Sequence, residues 1–219
     1  MPYADHPPLT TNPFADKKAN TTCRNMMPEQ AQDRSVRIIG GKWRSRKVSF
    51  ADYEQIRPSP SRIRETLFNW LQYHVSGSRC LELYGGSGIL SLEALSRGAR
   101  HVTLIERSRQ VCTHIQQEFE HLADDPQSFD CLNVQAEDYL QNNRQGALFD
   151  LVFLDPPFAS DELRKVLPLV GHCMTSDGLI YIETDDQLDS GMLPSGWEFS
   201  RHKKAGSVHY GLCRRVQAP

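Results

Sequence analysis

The segment from Phe149 to Phe158, with the sequence Phe-Asp-Leu-Val-Phe-Leu-Asp-Pro-Pro-Phe, joins an apolar run to residues whose types are suited to chemistry. The apolar run is typical of a strand buried on both faces of a parallel sheet. Asp155 ends this strand, and Pro156 and Pro157 fix the backbone that follows because each ring restrains its own φ. A carboxylate beside a fixed carbonyl can hold the two hydrogens of an exocyclic amine, and Phe158 can stack on the base that carries it. The segment therefore predicts an amine-binding site, although a strand that ends in a proline-rich turn, with Asp155 as a loop cap, would look the same.

A glycine loop follows an earlier predicted strand and leads into a predicted helix. The stretch Glu82–Gly88 has the pattern Glu-x-x-x-Gly-x-Gly, which lets a ligand approach the backbone and the free N–H groups of the helix. Glu106 ends the next strand, where a carboxylate can accept hydrogen bonds from both ribose hydroxyls. Gln135 and Ala136, at the end of the third strand, offer a side-chain amide and a backbone N–H to an adenine ring.

Two classes of nucleotide ligand are candidates for this loop. A dinucleotide site would need a third glycine, but Ile89, Leu90 and Ser91 follow Gly88. Glu82 adds a negative charge that favours a cationic ligand over a pyrophosphate, and S-adenosylmethionine, with its sulfonium and ammonium groups, satisfies both conditions. The predicted cofactor-binding residues are Glu82, Tyr84, Gly85, Gly86, Ser87, Gly88, Glu106, Arg107, Gln135, Ala136 and Asp155; the predicted catalytic residues are Asp155, Pro156 and Phe158.

The elements that must position these residues alternate between strand and helix. This order predicts an α/β fold with a doubly wound, Rossmann-like, mostly parallel sheet. Near the C-terminus, two β-like runs separated by Ala205-Gly206 predict an antiparallel edge hairpin instead. The predicted strands are Arg79–Tyr84, His101–Ile105, Phe129–Val134, a central strand ending at Asp155, Leu179–Glu183, Trp197–Lys203 and Ser207–Arg215. The predicted helices are Ile89–Arg97, Ser108–Leu122, Glu137–Asn142 and Asp161–Val170.

The chain is expected to have three parts. Residues 1–34 are rich in proline and polar residues and are predicted to be a disordered tail. Residues 35–58 are predicted to form a basic β-hairpin for RNA recognition, with strands at Val36–Ile39 and Lys47–Phe50. Residues 59–219 are predicted to form a methyltransferase-type domain. Between Arg34 and Arg79 there are ten Lys or Arg against three acids, whereas from Cys80 onward there are twelve against twenty. A basic front on an acidic body favours a polyanionic partner.

The cations of this basic region are the predicted RNA contacts. Basic residues interleaved with Trp43 suit phosphates and a stacked base, although Trp43 packed on the body of the domain is the structural alternative. A helix is predicted from Pro60 or Ser61, with an apolar face of Ile63, Leu67, Trp70 and Leu71. Arg62 and Arg64 in its first turn are unfavourable for the helix dipole, which indicates an anionic neighbour: a ligand, RNA, or an acid such as Glu65. The predicted RNA-binding residues are Arg37, Lys42, Trp43, Arg44, Arg46, Lys47, Arg62 and Arg64.

The composition restricts the class of protein. With 219 residues, 39% hydrophobic, the chain is long enough for one sizeable core, and no apolar run approaches the length of a membrane span. No basic-then-apolar signal segment begins the chain. The six cysteines and eight histidines lack metal-ligand spacing, so we expect reduced, mostly buried cysteines, no metal site and a cytoplasmic location. No exposed apolar stripe stands out in the sequence, so we expect a monomer.

Taken together, the Asp-Pro-Pro-Phe motif and the glycine loop resemble those of amino-methyltransferases with the class I, S-adenosylmethionine-dependent fold. More narrowly, the stretches Arg37–Lys47, Arg57–Leu71 and Leu92–Ala99 resemble the bacterial RsmD family, and the similarity runs from about Val36 to Arg215. Departures from the usual family pattern are Glu82, Tyr84 and Gly85 in the glycine loop, and Pro60 before the helix.

The resemblance implies methylation of the N2 amine of a guanine in 16S ribosomal RNA, with S-adenosylmethionine as cofactor and small-subunit particles as substrate. Two other functions are compatible with parts of the sequence. A DNA adenine-N6 methyltransferase shares the Asp-Pro-Pro-Phe chemistry but would need a larger recognition insertion. A non-catalytic RNA-binding or ribosome-assembly protein of the same fold would have no need of the cofactor.

Overall fold

The computed structural model describes residues 34–50, 56–143, 146–158 and 160–216. The chain begins there with a two-stranded antiparallel hairpin, β1 (Arg34–Arg37) and β2 (Lys47–Phe50), followed by helix α1 (Ser61–Trp70). The predicted tail, except for Arg34, and residues 51–55 of the predicted hairpin segment lie outside the described residues.

Alternating strands and helices follow as the sequence predicts. The strands are β3 (Arg79–Glu82), β4 (His101–Ile105), β5 (Phe129–Leu132), β6 (Phe149–Leu154), β7 (Met174–Thr184), β8 (Trp197–Ala205) and β9 (Val208–Arg215). The helices are α2 (Ile89–Ser96), α3 (Arg109–Leu122), α4 (Ala136–Asn142) and α5 (Glu162–Val170). Most predicted bounds hold to within two residues, and β7 is longer than predicted because it begins five residues earlier.

The seven strands from β3 onward form one sheet in the order β5-β4-β3-β6-β7-β9-β8. The first five are parallel, whereas β9 runs antiparallel to both β7 and β8. Helices α1, α2 and α3 pack on one face of this sheet, and α4 and α5 pack on the other. The predicted doubly wound sheet with an antiparallel C-terminal edge hairpin and a small N-terminal hairpin is confirmed.

The apolar patterns seen in the sequence explain this core. The last four residues of β6, Leu151–Leu154, are buried, as expected for a strand covered on both faces. Helix α1 buries Ile63 and Leu67 against the sheet, while Leu71 is buried just beyond its end. All eight residues of α2 are buried, so this helix lies inside the domain rather than on its surface.

The anionic neighbour expected for the arginines in the first turn of α1 is Glu93, in the middle of α2, and not Glu65. The Arg64 guanidinium lies 2.7 Å from the Glu93 carboxylate, and both side chains are almost fully buried. Arg64 also donates to the carbonyls of Ser59 and Arg37. The prediction that Arg64 binds RNA is therefore wrong, because its charge and its hydrogen bonds are used inside the domain.

Trp43 is likewise a core residue. It is 4% exposed, and its backbone N–H donates to the Ser96 hydroxyl at the end of α2. The structural alternative for Trp43 is therefore the correct one, and the prediction that its ring stacks on an RNA base is wrong. Gly41 has a φ of +75°, and a β-carbon there would collide with the Ser96 carbonyl, so the turn depends on a glycine at this close approach.

The turn of the β1–β2 hairpin lies at the amino edge of the main sheet. Ser96 is the last residue of α2, which begins at the carboxyl edge and ends at the amino edge, and the Lys42 N–H donates to its carbonyl at 2.7 Å. The Lys42 ammonium forms an ion pair with Asp124, just after α3. The basic residues in this turn therefore lie at the amino edge of the sheet, whereas Asp155 lies at the carboxyl edge.

Candidate functional site

A cleft of about 460 Å³ opens at the carboxyl edge of the sheet, where β3, β4, β5 and β6 end. This is the position at which open α/β sheets bind ligands. Of the predicted cofactor and catalytic residues, only Gly88 does not line the cleft. The lining includes Glu82, Tyr84, Gly85, Gly86, Ser87, Glu106, Arg107, Gln135, Ala136, Asp155, Pro156 and Phe158.

Asp155 follows β6 directly, so the rigid centre of the sheet fixes its position. The Ser59 hydroxyl, in the segment before α1, donates to Oδ2 of Asp155 at 3.0 Å. Burial raises the pKa of Asp155 to about 6, and the hydrogen bond from Ser59 opposes this shift. At neutral pH the carboxylate is thus mostly ionised and can accept hydrogen bonds from a ligand.

Pro156 is buried, whereas Phe158 is 45% exposed. Both residues line the cleft beside Asp155. A large ring that is half exposed at the rim of a cleft has one side free to contact a flat ligand. The carboxylate, the proline backbone and the aromatic ring therefore line the cleft together, as the sequence predicts.

A second buried acid, Glu183, lies beside Asp155. Leu154 of β6 is paired with Ile182 of β7, so the next residues along these parallel strands, Asp155 and Glu183, are neighbours. The Tyr181 hydroxyl donates to the Glu183 carboxylate at 2.7 Å. Burial, followed by the charge of Asp155, raises the pKa of Glu183 to about 8, while Tyr181 and Ser59 counter the shift.

Glu82 and Glu106 bind the backbone around the glycine loop. The Glu82 carboxylate accepts a hydrogen bond of 3.0 Å from the Ser91 N–H in α2. Burial raises the pKa of Glu82 to about 8 despite this bond, and the charges of Asp155 and Glu106 add to the shift. Glu106 accepts from the Gly86 N–H at 2.9 Å and from the Ser108 N–H at 2.8 Å, so its carboxylate is held in a fixed orientation at the cleft.

The glycines of the loop have two different roles. Gly86 has a φ of +50°, and a β-carbon there would find no atom closer than 3.9 Å, so its backbone is open for a ligand to approach. Gly88 has a φ of +67°, and a β-carbon would lie 3.0 Å from the ring of Phe119. Gly88 therefore allows α2 to pack closely against α3, and it is not among the residues that line the cleft.

These acids give the cleft a particular charge. Glu82, Glu106 and Asp155 line it, and Glu183 is the neighbour of Asp155 on the adjacent strand. Bringing several carboxylates together in a buried site is costly unless some remain protonated or a cation joins them. Among the described lining residues the cations are Arg57 and Arg107, both exposed. The donor set therefore suits a ligand that carries positive charge, and S-adenosylmethionine meets that condition.

Ser59 and Glu183 are the residues that the sequence reasoning missed. Glu183 could have been found, because it is the acid near the end of the strand next to β6, as Glu106 is at the end of β4. Ser59 gave no such signal, because only the folded structure brings the segment before α1 to the end of β6. Within the part of the chain that the structure describes, no group of three or more potential metal ligands occurs.

The remaining features agree with the composition. The five described cysteines are free and buried, as predicted. No described helix is both long and apolar enough to cross a membrane. The exposed predicted RNA contacts are Arg37, Lys42, Arg44, Arg46, Lys47 and Arg62.

The strand order, with five parallel strands, an antiparallel β9 inserted before β8, and a glycine loop after β3, is that of the class I, S-adenosylmethionine-dependent methyltransferase fold. The chain belongs to the RsmD family, whose model, described as "Conserved hypothetical protein 95", matches residues 36–214.

The matches to named relatives cover more than four fifths of the chain. It is 37% identical to Ribosomal RNA small subunit methyltransferase D of Escherichia coli (strain K12) over 191 residues, 86% of this chain and 94% of that protein. It is 36% identical to the protein of the same name from Haemophilus influenzae, over 81% of this chain and 92% of that one. The solved structure of Escherichia coli yhhF superposes with a TM-score of 0.73 at 36% identity, and the match covers 83% of this chain and 98% of that one.

Proposed function

We propose that this protein transfers a methyl group from S-adenosylmethionine to the exocyclic N2 amine of a guanine in 16S ribosomal RNA within the small ribosomal subunit. The observation that carries the proposal is the group of Asp155, Pro156 and Phe158 in the lining of a cleft that also holds Glu82 and Glu106. The names of the relatives support ribosomal RNA of the small subunit as the substrate.

The cleft has a suitable group for each part of the cofactor. Glu106 would accept hydrogen bonds from the ribose hydroxyls, and Glu82 would face the positively charged methionine part across the open backbone of Gly86. Gln135 and Ala136 would contact the adenine ring. When bound, S-adenosylmethionine supplies a methyl group that its sulfonium has already activated.

Asp155 and its neighbours would prepare the amine. The N2 lone pair of guanine is delocalised into the ring, so this nitrogen is a poor nucleophile. The Asp155 carboxylate and the Pro156 carbonyl would accept hydrogen bonds from the two amine hydrogens, which directs the lone pair and stabilises the positive charge that develops on nitrogen. The S–CH3 bond breaks as the N–CH3 bond forms, S-adenosylhomocysteine leaves, and the methylated nitrogen then loses one proton to the Asp155 carboxylate or to water. Phe158 would stack on the base, which is unstacked from the RNA to enter the site. Most of the acceleration would come from positioning and fixed electrostatics.

The test is a methylation assay with product identification. The purified protein is incubated with labelled S-adenosylmethionine and with small-subunit particles from cells that lack the gene, with free ribosomal RNA, or with duplex DNA. Digested nucleosides are then analysed by mass spectrometry. We expect N2-methylguanosine from the particles. Methyladenine from DNA would identify an adenine-N6 methyltransferase instead, and binding of the particle without any transfer would identify an assembly factor.

A further inference from the structure

The main sheet carries a second group of cations, at its carboxyl edge, that the sequence reasoning did not use. Strand β8 carries Arg201, His202, Lys203 and Lys204 in succession, and His209 of β9 is paired with Lys204. We call these five residues the β8–β9 basic cluster. Arg201, His202, Lys203 and Lys204 are exposed. No carboxylate of the described residues forms a salt bridge with Arg201, Lys203 or Lys204.

The strand register places this cluster towards the same edge of the sheet as Asp155, the edge at which the parallel strands have their carboxyl ends. Lys203 is paired with Tyr210 of β9, and Tyr210 is paired with Glu183 of β7. Glu183 is in turn the neighbour of Asp155 across the β6–β7 pair. Lys203 is therefore three strand spacings from Asp155, about 14 Å if each spacing is about 4.8 Å.

The side chain of Lys203 also has a structural support. Its ammonium lies 6.0 Å from the centre of the Trp70 ring, and Trp70 stacks on Tyr210 with ring centres 5.6 Å apart. At about 6 Å this is the outer limit of a cation–π contact, which favours one orientation of a side chain that is otherwise exposed.

We infer that the β8–β9 basic cluster binds the phosphate backbone of the RNA next to the base that enters the cleft. Phosphate contacts of this kind set the register and orientation of a nucleic acid without reading its sequence. The inference rests on the proposed function, because it concerns the RNA substrate of the same site.

Protection of the sheet edge is the other explanation for cations on β8. Lysines on an edge strand prevent pairing with another chain wherever along the strand they stand. In β8, however, the half at the amino edge, Trp197–Ser200, contains no cation, and all the cations are in the half nearest the cleft. This distribution favours a ligand at the carboxyl edge.

The N-terminal hairpin cannot replace this cluster near the cleft. Its turn lies at the amino edge, and the Lys42 ammonium there is already paired with Asp124. The acids at the carboxyl edge beyond β7, Asp185 and Asp186, are exposed and form no salt bridge with the cluster within the described residues. They would partly offset its charge, so their removal should strengthen RNA binding.

The test compares two variants of the full chain. Arg201→Gln/Lys203→Gln/Lys204→Gln removes the cluster's permanent charges, and Arg79→Gln/Arg100→Gln/Arg214→Gln removes three charges from the amino edge as the matched control. Binding of each protein to small-subunit particles is measured by filter retention between about 50 and 200 mM salt, a range over which phosphate contacts lose much of their affinity. Calorimetry with S-adenosylhomocysteine checks the cleft of each variant.

We expect the cluster variant to bind particles roughly tenfold or more weakly, with a salt slope smaller by about two, as the loss of two to three phosphate contacts predicts. Its cofactor affinity should be unchanged, and the control variant should bind particles within about twofold of the parent, since its cations lie at the edge of the sheet opposite the cleft. An unchanged affinity and salt slope in the cluster variant, or an equal loss in the control, would overturn the inference.

This measurement does not depend on turnover. If the parent protein binds particles through the cluster but transfers no methyl group, the proposed reaction fails while the RNA surface stands. If N2-methylguanosine forms equally well with the cluster variant at low particle concentration, the surface fails while the proposed reaction stands. Self-association of the cluster variant in sedimentation, with particle affinity unchanged, would show that the cations only protect the edge.

Discussion

The Ser59 hydroxyl donates a hydrogen bond of 3.0 Å to Asp155, and this bond joins the segment before α1 to the end of β6. Glu183 stands beside the same carboxylate on the neighbouring strand. Burial disfavours the ionised form of Asp155 and raises its pKa, whereas the hydrogen bond from Ser59 favours that form. The balance between burial and this hydrogen bond sets the pH range in which the site can accept hydrogen bonds.

Asp155→Asn should strongly reduce methyl transfer while the cleft keeps its affinity for the cofactor. The amide keeps the size of the side chain but lacks the charge that stabilises the developing positive nitrogen. We expect kcat to fall by about 10²–10³ or more, as for the loss of one preorganised electrostatic contact. Isothermal titration with S-adenosylhomocysteine should give nearly the affinity of the parent. Near-normal turnover of the variant would remove Asp155 from the mechanism.

The pH dependence of the reaction should follow the ionisation of Asp155. Because the carboxylate must be ionised to accept the amine hydrogens, kcat/KM should rise with pH and level off above a pKa of about 6. The parameter kcat/KM is the appropriate one, because it reports groups of the free enzyme. A profile that is flat between pH 5 and pH 8, a range of about three units that includes this pKa, would contradict the assignment.

Ser59→Ala should move that profile to higher pH. The variant loses the hydrogen bond that favours the ionised carboxylate, so the pKa of Asp155 rises further. Loss of a hydrogen bond to a charged group costs about 1.5 kcal/mol, which corresponds to a rise of about one pKa unit, so kcat/KM should fall roughly twofold at pH 7 and roughly tenfold at about pH 5.5. Ser61→Ala, two residues away and exposed, is the matched control and should leave the profile in place.

Glu183→Gln should leave the rise of the same profile in place. The pKa of Glu183 is raised to about 8, so its side chain is mostly uncharged at the pH where Asp155 ionises, and the variant removes little charge there. The variant keeps a carbonyl oxygen for the Tyr181 hydroxyl, and its kcat/KM should still level off above a pKa of about 6. A pKa lower than the parent's by about one unit would show instead that Glu183 is charged in this range and opposes the ionisation of Asp155.

The stability of the ligand-free protein should decrease as the pH rises. Burial raises the pKa of Glu82 to about 8, above the value of about 4.3 expected in the unfolded chain, so the folded state binds more protons between these values. The stabilising contribution is present below the unfolded pKa and is lost as the pH rises through the folded pKa. Urea unfolding at several pH values should show this decline, and it should be shallower in Glu82→Gln than in the surface control Glu120→Gln.

Arg64 is expected to contribute to the stability of the fold and not to RNA binding. Arg64→Met leaves the buried Glu93 carboxylate with only its partners Ile39 N–H and Arg97, so the free energy of unfolding should fall by about 3–5 kcal/mol. Adding Glu93→Gln should restore part of this loss, which a double-mutant cycle by urea unfolding would measure. A folded Arg64→Met variant with normal stability but weaker particle binding would reverse this conclusion.

The sequence alone predicts much of the fold and most of the residues that line the cleft. The alternating apolar runs determine the parallel sheet, because such strands must be covered by helices on both faces. Since the carboxyl ends of parallel strands share one edge, Glu82, Glu106, Gln135 and Asp155 could be placed together from strand order alone. For the same reason, all the predicted cofactor residues except Gly88 line one cleft.

The tertiary structure decided which charges are free and which are used internally. Arg64 and Trp43 have the residue types and the setting of RNA contacts, but both are buried, because the hairpin and α1 cover α2 and bring Glu93 and Ser96 to them. Ser59 reaches Asp155 across 96 positions of the chain, and β9 brings Lys203 into line with Glu183. These are long-range contacts between segments with no periodic relation to one another, and so only the folded chain determines them.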